Sequence, residues 1–563
     1  MIRSGIMLTL LVFLGVKHAC AQAPPAAAAV EAWSSVRRWV DAGQIPRHGR
    51  ATPPGVDGVA VQLTWNGRLV GADEAHAAAG DADPLAKAAR GAVLRALANE
   101  HIASLPEAQR VDALSDLMLE VEVSGIPEPL TGPLQILDTD IHPGHDGIAV
   151  RRGDQWSMRF PSRLRSRGRS STLETLRGML LLLGVHEAEA DALRRSGEVT
   201  VYKLPTIDLR EVPDGRFPEH FARGRTGSLM PVASRETVDS LSDRLAVALL
   251  DWYLELMSAS ADSTAFFAGT WDPNLDKWGE LIADDSEIAL ASLALARWAE
   301  TRPDHDRAGR AIDIARIGLT HVTDTTEPDP RAVAVAMVAA NHAWTASDKP
   351  PAVHSPRLQV LVTESAKGGK EPTRAIATLA LALHGETALV KASIETWLGH
   401  GPDAIAQTMP WSMAAARAID DARMDPHIDL LREILLGRQL DAAGGAWGPE
   451  AAGAVALQRT PVAMGFASLR AGWALAAMAA DLPPTERALL RERLLLLATH
   501  VQRRTIDADT AATWASPDRA VDRIRWAPWD ERLSISAQAL ALLTTLDIAE
   551  ALDVAEAPQE SPG

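Results

Sequence analysis

Residues 286–300 read SEIALASLALARWAE, a segment that is rich in alanine and leucine and carries few charges. A helix of this composition is expected to be buried on most of its sides. Five later segments share this character: residues 331–344, 372–384, 403–419, 462–480 and 533–549. The chain therefore holds six segments that are typical of the inside of a helical domain.

Predicted helices of a second kind alternate with these six. They carry charges on one face of an apolar pattern with a period near 3.6 residues, and they are residues 239–257, 305–322, 355–367, 388–400, 426–440 and 485–503. Such helices are expected to have one buried face and one solvent face. The strict alternation predicts an all-α (α/α)6 toroid over residues 237–552, in which an inner ring of helices is wrapped by an outer ring.

Composition and charge narrow the classes of function. A chain of 563 residues is long for one core, which predicts a multidomain protein. The formal net charge of −17 opposes nucleic-acid binding, because phosphate contacts depend on Lys and Arg. The 16 Trp residues outnumber the 7 Phe and 2 Tyr residues. Since a buried indole N–H needs a partner, some of these Trp side chains are expected to face a wet cleft.

The N-terminus has the pattern of a secretory signal peptide. Arg3 precedes an apolar run at residues 6–16, and small residues follow up to Ala21, where cleavage is expected. No apolar run reaches the roughly 20 residues that span a bilayer, so no transmembrane segment is expected. The protein is therefore expected to be periplasmic or secreted. Cleavage would remove Cys20, the only cysteine, and lipidation of Cys20 is the less favoured alternative.

Residues 57–204 read as an α+β domain. Val59–Trp65 has the pattern of a strand, Asn66-Gly67 that of a hairpin turn, and residues 117–124 alternate like a half-buried strand. A helix is expected to begin at Asp83-Pro84. The predicted organisation is a signal peptide at 1–21, a spacer with a short helix at 22–56, the α+β domain at 57–204, a linker at 205–236, the toroid at 237–552 and a disordered tail at 553–563.

The α+β domain resembles the AMMECR1 family. The resemblance covers the strand ending at Asn66-Gly67, the helix after Pro84, Leu119–Ser124 followed by Pro127-Glu128-Pro129, and Pro143-Gly144 before Asp146. That family carries a Leu-Arg-Gly-Cys-Ile-Gly segment after the first hairpin, and the same place reads Leu-Val-Gly-Ala-Asp-Glu here, at residues 69–74. The resemblance thus implies that the domain keeps the strands and helices of the family but lacks its Leu-Arg-Gly-Cys-Ile-Gly segment. Such a domain is expected to have a structural or interacting role.

The connections between the predicted helices point to one end of the toroid. The longest connections are residues 258–285, 441–461 and 506–532, and each runs from an outer helix to an inner helix. In an up-and-down ring such loops fall on the same face, which we expect to be the binding face. The inner helices begin at this face, and their N–H ends favour an anionic ligand.

Each long loop places tryptophan near a carboxylate. The pairs are Trp271 with Asp272, Trp447 with Glu450, and Trp526 and Trp529 with Asp530 and Glu531. In topology this resembles the α/α toroids of carbohydrate-active enzymes, which implies tryptophans that stack on sugar rings and Asp272, Asp530 and Glu531 as candidate acids and bases. The alternative is that these acids cap helices or pair with Arg525 and Arg532, and that the tryptophans plug the loop-side core.

Several other groups have two interpretations. Five arginines within residues 159–169 form either a solvated loop or a grip for an anionic polymer. Arg470, the cation of its predicted inner helix, needs a buried partner or a ligand. His342 is expected to be a buried, hydrogen-bonded histidine rather than a catalytic one. Asp284 and Glu287 are expected to form the first turn of a helix rather than a metal site.

Two functions follow from these observations. The leading expectation is an exported binding or scaffold protein of the cell envelope that recognises a glycan or a partner protein through the Trp-rich face. The alternative is a hydrolase, lyase or epimerase that acts on an acidic polysaccharide through two loop carboxylates about 5 to 10 Å apart. No nucleophile elbow, P-loop or dinucleotide fingerprint is found, so neither a cofactor nor a metal is predicted.

Overall fold

The computed structural model describes residues 24–44, 51–134, 137, 140–165, 172–211, 217–222, 225–226, 230–259, 267–344, 355–400, 408–457 and 465–553. The predicted signal peptide with Cys20 lies outside these residues, and so do Arg167, Arg169 and the tail beyond Asp553. The chain is mostly helical, with a β-sheet region in its N-terminal part.

An antiparallel sheet organises the N-terminal part. Its strands are β1 Gly58–Trp65, β2 Arg68–His76, β3 Met118–Ser124, β4 Glu128–Pro129, β5 Asp146–Arg152, β6 Gln155–Arg159, β7 Val199–Glu211, β8 Pro218–Ala222 and β9 Arg225–Thr226. The main order is β2-β1-β3-β7-β5-β6, and β4 and β8 also pair with β7. β7 continues past residue 204, where the sequence pattern predicts the linker, because its alternating apolar residues keep pairing with β3.

Helices cover this sheet. They are α1 Ala26–Ala42, α2 Pro84–Ala98, α3 Glu100–Ala103, α4 Glu107–Ser115, α5 Pro161–Arg165, α6 Thr172–Leu182 and α7 Glu187–Ser196. α2 begins where the sequence predicts, because the Asp83 side chain accepts from the Ala86 N–H and Pro84 occupies the first turn. α2 packs on β1 and β2, and α1 packs on β3 and β7. The strands with helices α1–α7 are called the sheet region below.

The helical region runs from Arg235 to Asp553. Its helices are, in chain order, α8 Arg235–Ala259, α9 Asp285–Thr301, α10 Ala308–Asp324, α11 Pro330–Ala343, α12 Pro356–Gly368, α13 Thr373–Leu383, α14 Thr387–His400, α15 Trp411–Ala418, α16 Asp425–Arg438, α17 Phe466–Ala480, α18 Pro484–Arg504, α19 Ala508–Ala511, α20 Pro517–Ala520 and α21 Ile535–Asp553. Of these, α19 and α20 are short. α9, α11, α13, α15, α17 and α21 are buried along most of their length, as their composition predicts.

These buried helices follow one another around a ring. α9 packs against α11 and α21, α11 against α13, α13 against α15, and α17 against α21. Trp411 of α15 meets Trp473 of α17 edge to face, with ring centroids 5.0 Å apart. The ring closes because α21, the last helix, contacts both α9 and α17.

Two local features explain parts of this ring. Asp284 caps α9 and forms a capping box with Glu287, so the expectation that these acids form the first turn of a helix is confirmed. α21 has the length and hydropathy of a membrane span, and it is the one helix of the described ranges that does. However, 94% of that apolar window is buried inside the protein, where α21 forms the seam of the ring.

Candidate functional site

The three long connections of the helical region lie together at one end of the ring, which is called the loop end below. The short strands β10 Trp271–Asp272, β11 Lys277–Trp278, β12 Arg525–Ala527 and β13 Asp530–Leu533 form an antiparallel sheet in the order β11-β10-β13-β12. The third connection joins them through Trp447, whose indole stacks on that of Trp529 with centroids 6.2 Å apart. The loop lengths therefore predict this gathering correctly.

The sheet region packs against the loop end. At the β1–β2 hairpin, the Leu69 N–H donates to the Asn274 carbonyl at 3.1 Å. The neighbouring Arg68 guanidinium donates to the Asp276 carboxylate at 2.6 Å. A backbone hydrogen bond and an ion pair thus connect the first hairpin of the chain to the loop between α8 and α9.

The hairpin turn itself is packed tightly against the loop between α18 and α21. Asn66 and Gly67 both have positive φ, as a two-residue type I′ turn requires. A Cβ at Gly67 would come within 2.1 Å of the backbone of Trp514 and Ala515. Because only glycine leaves room for this approach, the turn and the loop form one packed unit.

The tryptophans that the sequence predicts as sugar platforms are buried at the loop end, where they pack mainly among residues of the helical region. Trp271, Trp447 and Trp529 have only 0%, 6% and 4% of their surface exposed. The imidazole of His142, from the sheet region, lies 5.9 Å from the ring of Trp447. Trp526 is half-buried and stacks on Phe466. With the two regions in contact, the three buried indoles present no open face to a sugar ring.

Two of the predicted catalytic acids make internal bonds. Asp530 is 1% exposed and accepts from Arg532 through both oxygens, at 3.0 and 2.6 Å, which is the arginine pairing that the sequence left open. Glu531 is 2% exposed, accepts from the Asn274 amide at 2.6 Å and lies 3.9 Å from Arg210 of the sheet region. Both carboxylates therefore have partners that hold them inside the interface.

Asp272 differs from these two acids in its electrostatics. Its Oδ1 accepts from the backbone N–H groups of Asn274 and Leu275 at 3.0 and 3.3 Å. Burial nevertheless raises the pKa of Asp272 to about 6, and the nearby Glu531 and Asp530 carboxylates raise this pKa further. A carboxyl that keeps its proton close to neutral pH has the property that a general acid needs.

The remaining predicted ligand-binding residues lie around this interface and the ring. Glu450 is half-buried in the short turn Pro449–Ala451, directly after the buried Trp447. Arg470 is half-buried in α17, and burial together with the positive charge of Arg331 lowers its pKa. Their roles in binding stay predictions.

A buried charge network continues from the interface into the sheet region. Arg165, from the arginine-rich run, is 5% exposed and pairs with Glu120 and, at 2.7 Å, with Asp208. Beside them Glu122 is fully buried, and burial raises its pKa to about 7. Burial also raises the pKa of Asp208. Arg165 is thus a structural partner of strand carboxylates, and neither interpretation of the arginine run from the sequence describes it.

The opposite end of the ring, called the open end below, holds a cavity of about 820 Å³. The C-terminal turns of the inner helices line it, because every inner helix runs from the loop end to this end. Apolar side chains such as Leu293, Val338, Leu379 and Met413 form its wall, together with Trp411. The sequence-based search for a site missed this cavity.

Charged side chains at the open end are fixed by hydrogen bonds. Arg297 donates to one oxygen of Asp547 at 2.7 Å, and the Trp473 indole N–H donates to the other at 2.8 Å. The same guanidinium lies 3.8 Å from Glu550. The Nδ1 atom of His342 lies 2.7 Å from Glu300, as the expectation of a hydrogen-bonded histidine predicts.

Burial and neighbouring charges shift the pKa values of His342 and Glu550 at the open end. Burial lowers the pKa of His342, so this ring is neutral at pH 7 even though Glu300 is its partner. Partial desolvation of the Glu550 carboxylate at the edge of the cavity raises its pKa, and the neighbouring Asp547 raises that pKa further against the opposing effect of Arg297. A signal for this site exists in the sequence, since Arg297, Glu300 and Asp547 are charged residues near the C-terminal ends of helices that are otherwise mostly apolar.

Comparisons with known proteins show limited similarity. No protein-family profile and no curated protein sequence matches the chain. An uncharacterized protein from Pyrococcus horikoshii is 18% identical, with 34% of this chain and 94% of that protein covered and a TM-score of 0.24. The GH76A α-1,6-mannanase of Salegentibacter sp. HEL1_6 is 13% identical, with 56% and 99% covered and a TM-score of 0.38.

A metagenome-derived glycoside hydrolase family 9 endoglucanase is also similar. It is 12% identical, with 77% of this chain and 96% of the endoglucanase covered and a TM-score of 0.31. TM-scores this low carry no inference about the fold or activity of this chain. The site is therefore interpreted from its own geometry.

Proposed function

We propose that this protein is an exported binding protein of the cell envelope that holds a glycan in the cavity at the open end of the helical ring. The observation that carries this proposal is the 820 Å³ cavity, where apolar side chains adjoin a hydrogen-bonded set of charged groups. Ligand pockets of about 300 to 1,000 Å³ with a few fixed polar groups are usual for small ligands. The periplasmic or secreted location is proposed from the signal-peptide pattern.

The chemistry of the cavity suits a sugar. The C–H faces of a pyranose pack on indoles and aliphatic side chains, and its hydroxyl groups bind carboxylates and guanidinium groups. Asp547 and Arg297 orient one another, so they offer hydrogen-bonding groups that need little reordering when a ligand binds. The loop end offers less, because Trp271, Trp447 and Trp529 are buried there. Asp530 and Glu531 are also buried, and each already has a hydrogen-bond partner.

We propose in addition that the helical region is an (α/α)6 toroid and that the sheet region is an AMMECR1-like domain. The toroid is supported by the alternation of buried and half-exposed helices and by the contact of α21 with α9. The AMMECR1-like assignment is supported by the Asn66-Gly67 hairpin and by the strand before Pro127-Glu128-Pro129. The position of this domain on the loop end fits a structural or interacting role.

A second candidate function is a glycan-active enzyme that uses the loop carboxylates on an acidic polysaccharide. The raised pKa of Asp272, next to Glu531 and Asp530, favours this candidate. Such an enzyme needs the sheet region to move away from the loop end, because Arg210 of the sheet region lies 3.9 Å from Glu531, and its residues Pro161 and Leu164 lie around Trp529. It therefore predicts activity that increases when the contact between the two regions is weakened.

A glycan-binding screen on the mature protein distinguishes the two ends. Leu383→Trp narrows the cavity and should weaken binding at least about tenfold. Leu383 lines the cavity and is 41% exposed, so a larger side chain at this position does not disturb a core. Trp526→Ala at the loop end is the matched control and should leave binding unchanged.

The outcomes of this screen decide between the candidates. Loss of binding with Leu383→Trp alone supports the cavity. Loss with Trp526→Ala alone places the ligand at the loop end and overturns the proposal. If the wild-type protein binds no glycan in the screen, the proposed function is wrong.

A further inference from the structure

The cavity at the open end has an excess of negative charge. Its charged lining consists of two guanidinium groups, Arg297 and Arg417, and four carboxylates, Glu300, Asp481, Asp547 and Glu550. Because His342 is neutral, these two positive and four negative groups give the cavity lining a net charge of −2. An anionic ligand would therefore be repelled by the groups that surround it.

The helix ends add to this negative field. The carbonyl ends of the inner helices carry the partial negative charge of the helix dipole, which basic side chains commonly offset. The last turns of α9, α13, α17 and α21 contain no basic residue. Four of the six inner helices thus direct a negative end toward the open end without such compensation in that turn.

Two of the four carboxylates retain capacity for a cation. Asp547 is compensated by Arg297 at 2.7 Å, and Asp481 by Arg417 at 2.8 Å. The partner of Glu300 is the neutral His342, and Glu550 lies 3.8 Å from a guanidinium that already pairs with Asp547. The side chains of Glu300 and Glu550 are 57% and 62% exposed, so a ligand can reach both.

We infer that the glycan of this cavity carries free amino groups, as in oligosaccharides of amino sugars that lack their N-acetyl groups. This inference rests on the proposed function and names its ligand class. An ammonium group would pair with the exposed carboxylates of Glu300 and Glu550. The acidic polysaccharide that the sequence suggests as an alternative substrate does not suit this end of the ring.

The test compares three oligomers of equal length on the mature full-length chain by calorimetry at pH 6. They are a glucosamine tetramer, an N-acetylglucosamine tetramer and a galacturonic acid tetramer. We expect the glucosamine tetramer to bind at least tenfold more tightly than the other two. Added salt should weaken this binding, because the charges at the open end are partly exposed.

Charge-neutral variants locate the contact. Glu550→Gln and Glu300→Gln should each weaken binding of the glucosamine tetramer about two- to fivefold, as expected for exposed ion pairs. Binding of the N-acetylglucosamine tetramer should not change. Glu364→Gln on the outer helix α12 removes a carboxylate that is 67% exposed and serves as the matched control.

The outcomes separate the two proposals. If the acetylated or the acidic tetramer binds as tightly as the amino tetramer, the inference about the ligand class is wrong while glycan binding stands. Unchanged affinity in both glutamine variants also overturns it. If the Leu383→Trp variant shows that no glycan binds at the open end, both proposals fail together.

Discussion

Replacing Gly67 by alanine tests the contact between the sheet region and the helical ring. Gly67 has a φ of +72°, and a Cβ there would come within 2.1 Å of the backbone of Trp514 and Ala515. A positive φ costs a residue with a Cβ about 1 to 2 kcal/mol. Overlap with packed backbone costs about another 1 to 3 kcal/mol. The expected loss of unfolding free energy is therefore about 2 to 5 kcal/mol.

Gly153→Ala is the matched control for this substitution. Gly153 also lies in a hairpin turn with a positive φ of +57°, but nothing lies within 4 Å of an added Cβ. Denaturant unfolding should therefore show an additional loss of about 1 to 3 kcal/mol for Gly67→Ala, which is the part due to the interface. Limited proteolysis should also cut Gly67→Ala faster at the loop end. Equal losses and equal cleavage in the two variants would refute the packed interface.

Three further changes test other contacts. The pKa of Glu122 is about 7 in the folded protein, against 4.5 for an ordinary glutamate in the unfolded chain. The folded state therefore holds this proton more tightly, and the free energy of unfolding should fall by up to about 3 kcal/mol as the pH rises from 4.5 to 7. Glu122→Gln should flatten this slope in denaturant titrations, and an unchanged slope would contradict the assignment. Asp284→Ala removes the cap of α9 and should cost about 1 kcal/mol in thermal unfolding, whereas the exposed Asp306→Ala should cost almost nothing. Trp473→Phe removes one hydrogen bond to Asp547 and should lower the free energy of unfolding by about 1 to 3 kcal/mol, measured in the same way. A smaller loss would show that this hydrogen bond contributes little.

The helical ring was readable from the sequence because its signal is periodic. Segments with few charges, such as residues 286–300, have few alternatives to a buried helix, and the amphipathic segments between them show their buried face directly. The cap at Asp284 and the turn at Asn66-Gly67 were readable for a related reason, since each depends on residues that are adjacent in the chain. Local chemistry fixes such elements.

The position of the site was harder to predict, because it depends on contacts between distant segments. Tryptophans beside carboxylates in long loops have the same pattern whether a sugar or the chain's own sheet region covers them. Trp447 lies near His142, which is far away in sequence, and no periodicity in the chain indicates that pairing. The acids of the open end are also far apart in sequence, and only ring closure brings Asp547 to Arg297.

Hydrogen–deuterium exchange with the glucosamine tetramer tests most directly at which end of the ring the ligand binds. The account predicts slower exchange at residues 297–301, 411–418 and 547–550 when the tetramer is present, with little change elsewhere. Slower exchange at residues 271–278 and 525–533 instead, together with faster exchange in the β1–β2 hairpin, would show that the sheet region moves aside and that the ligand occupies the loop end.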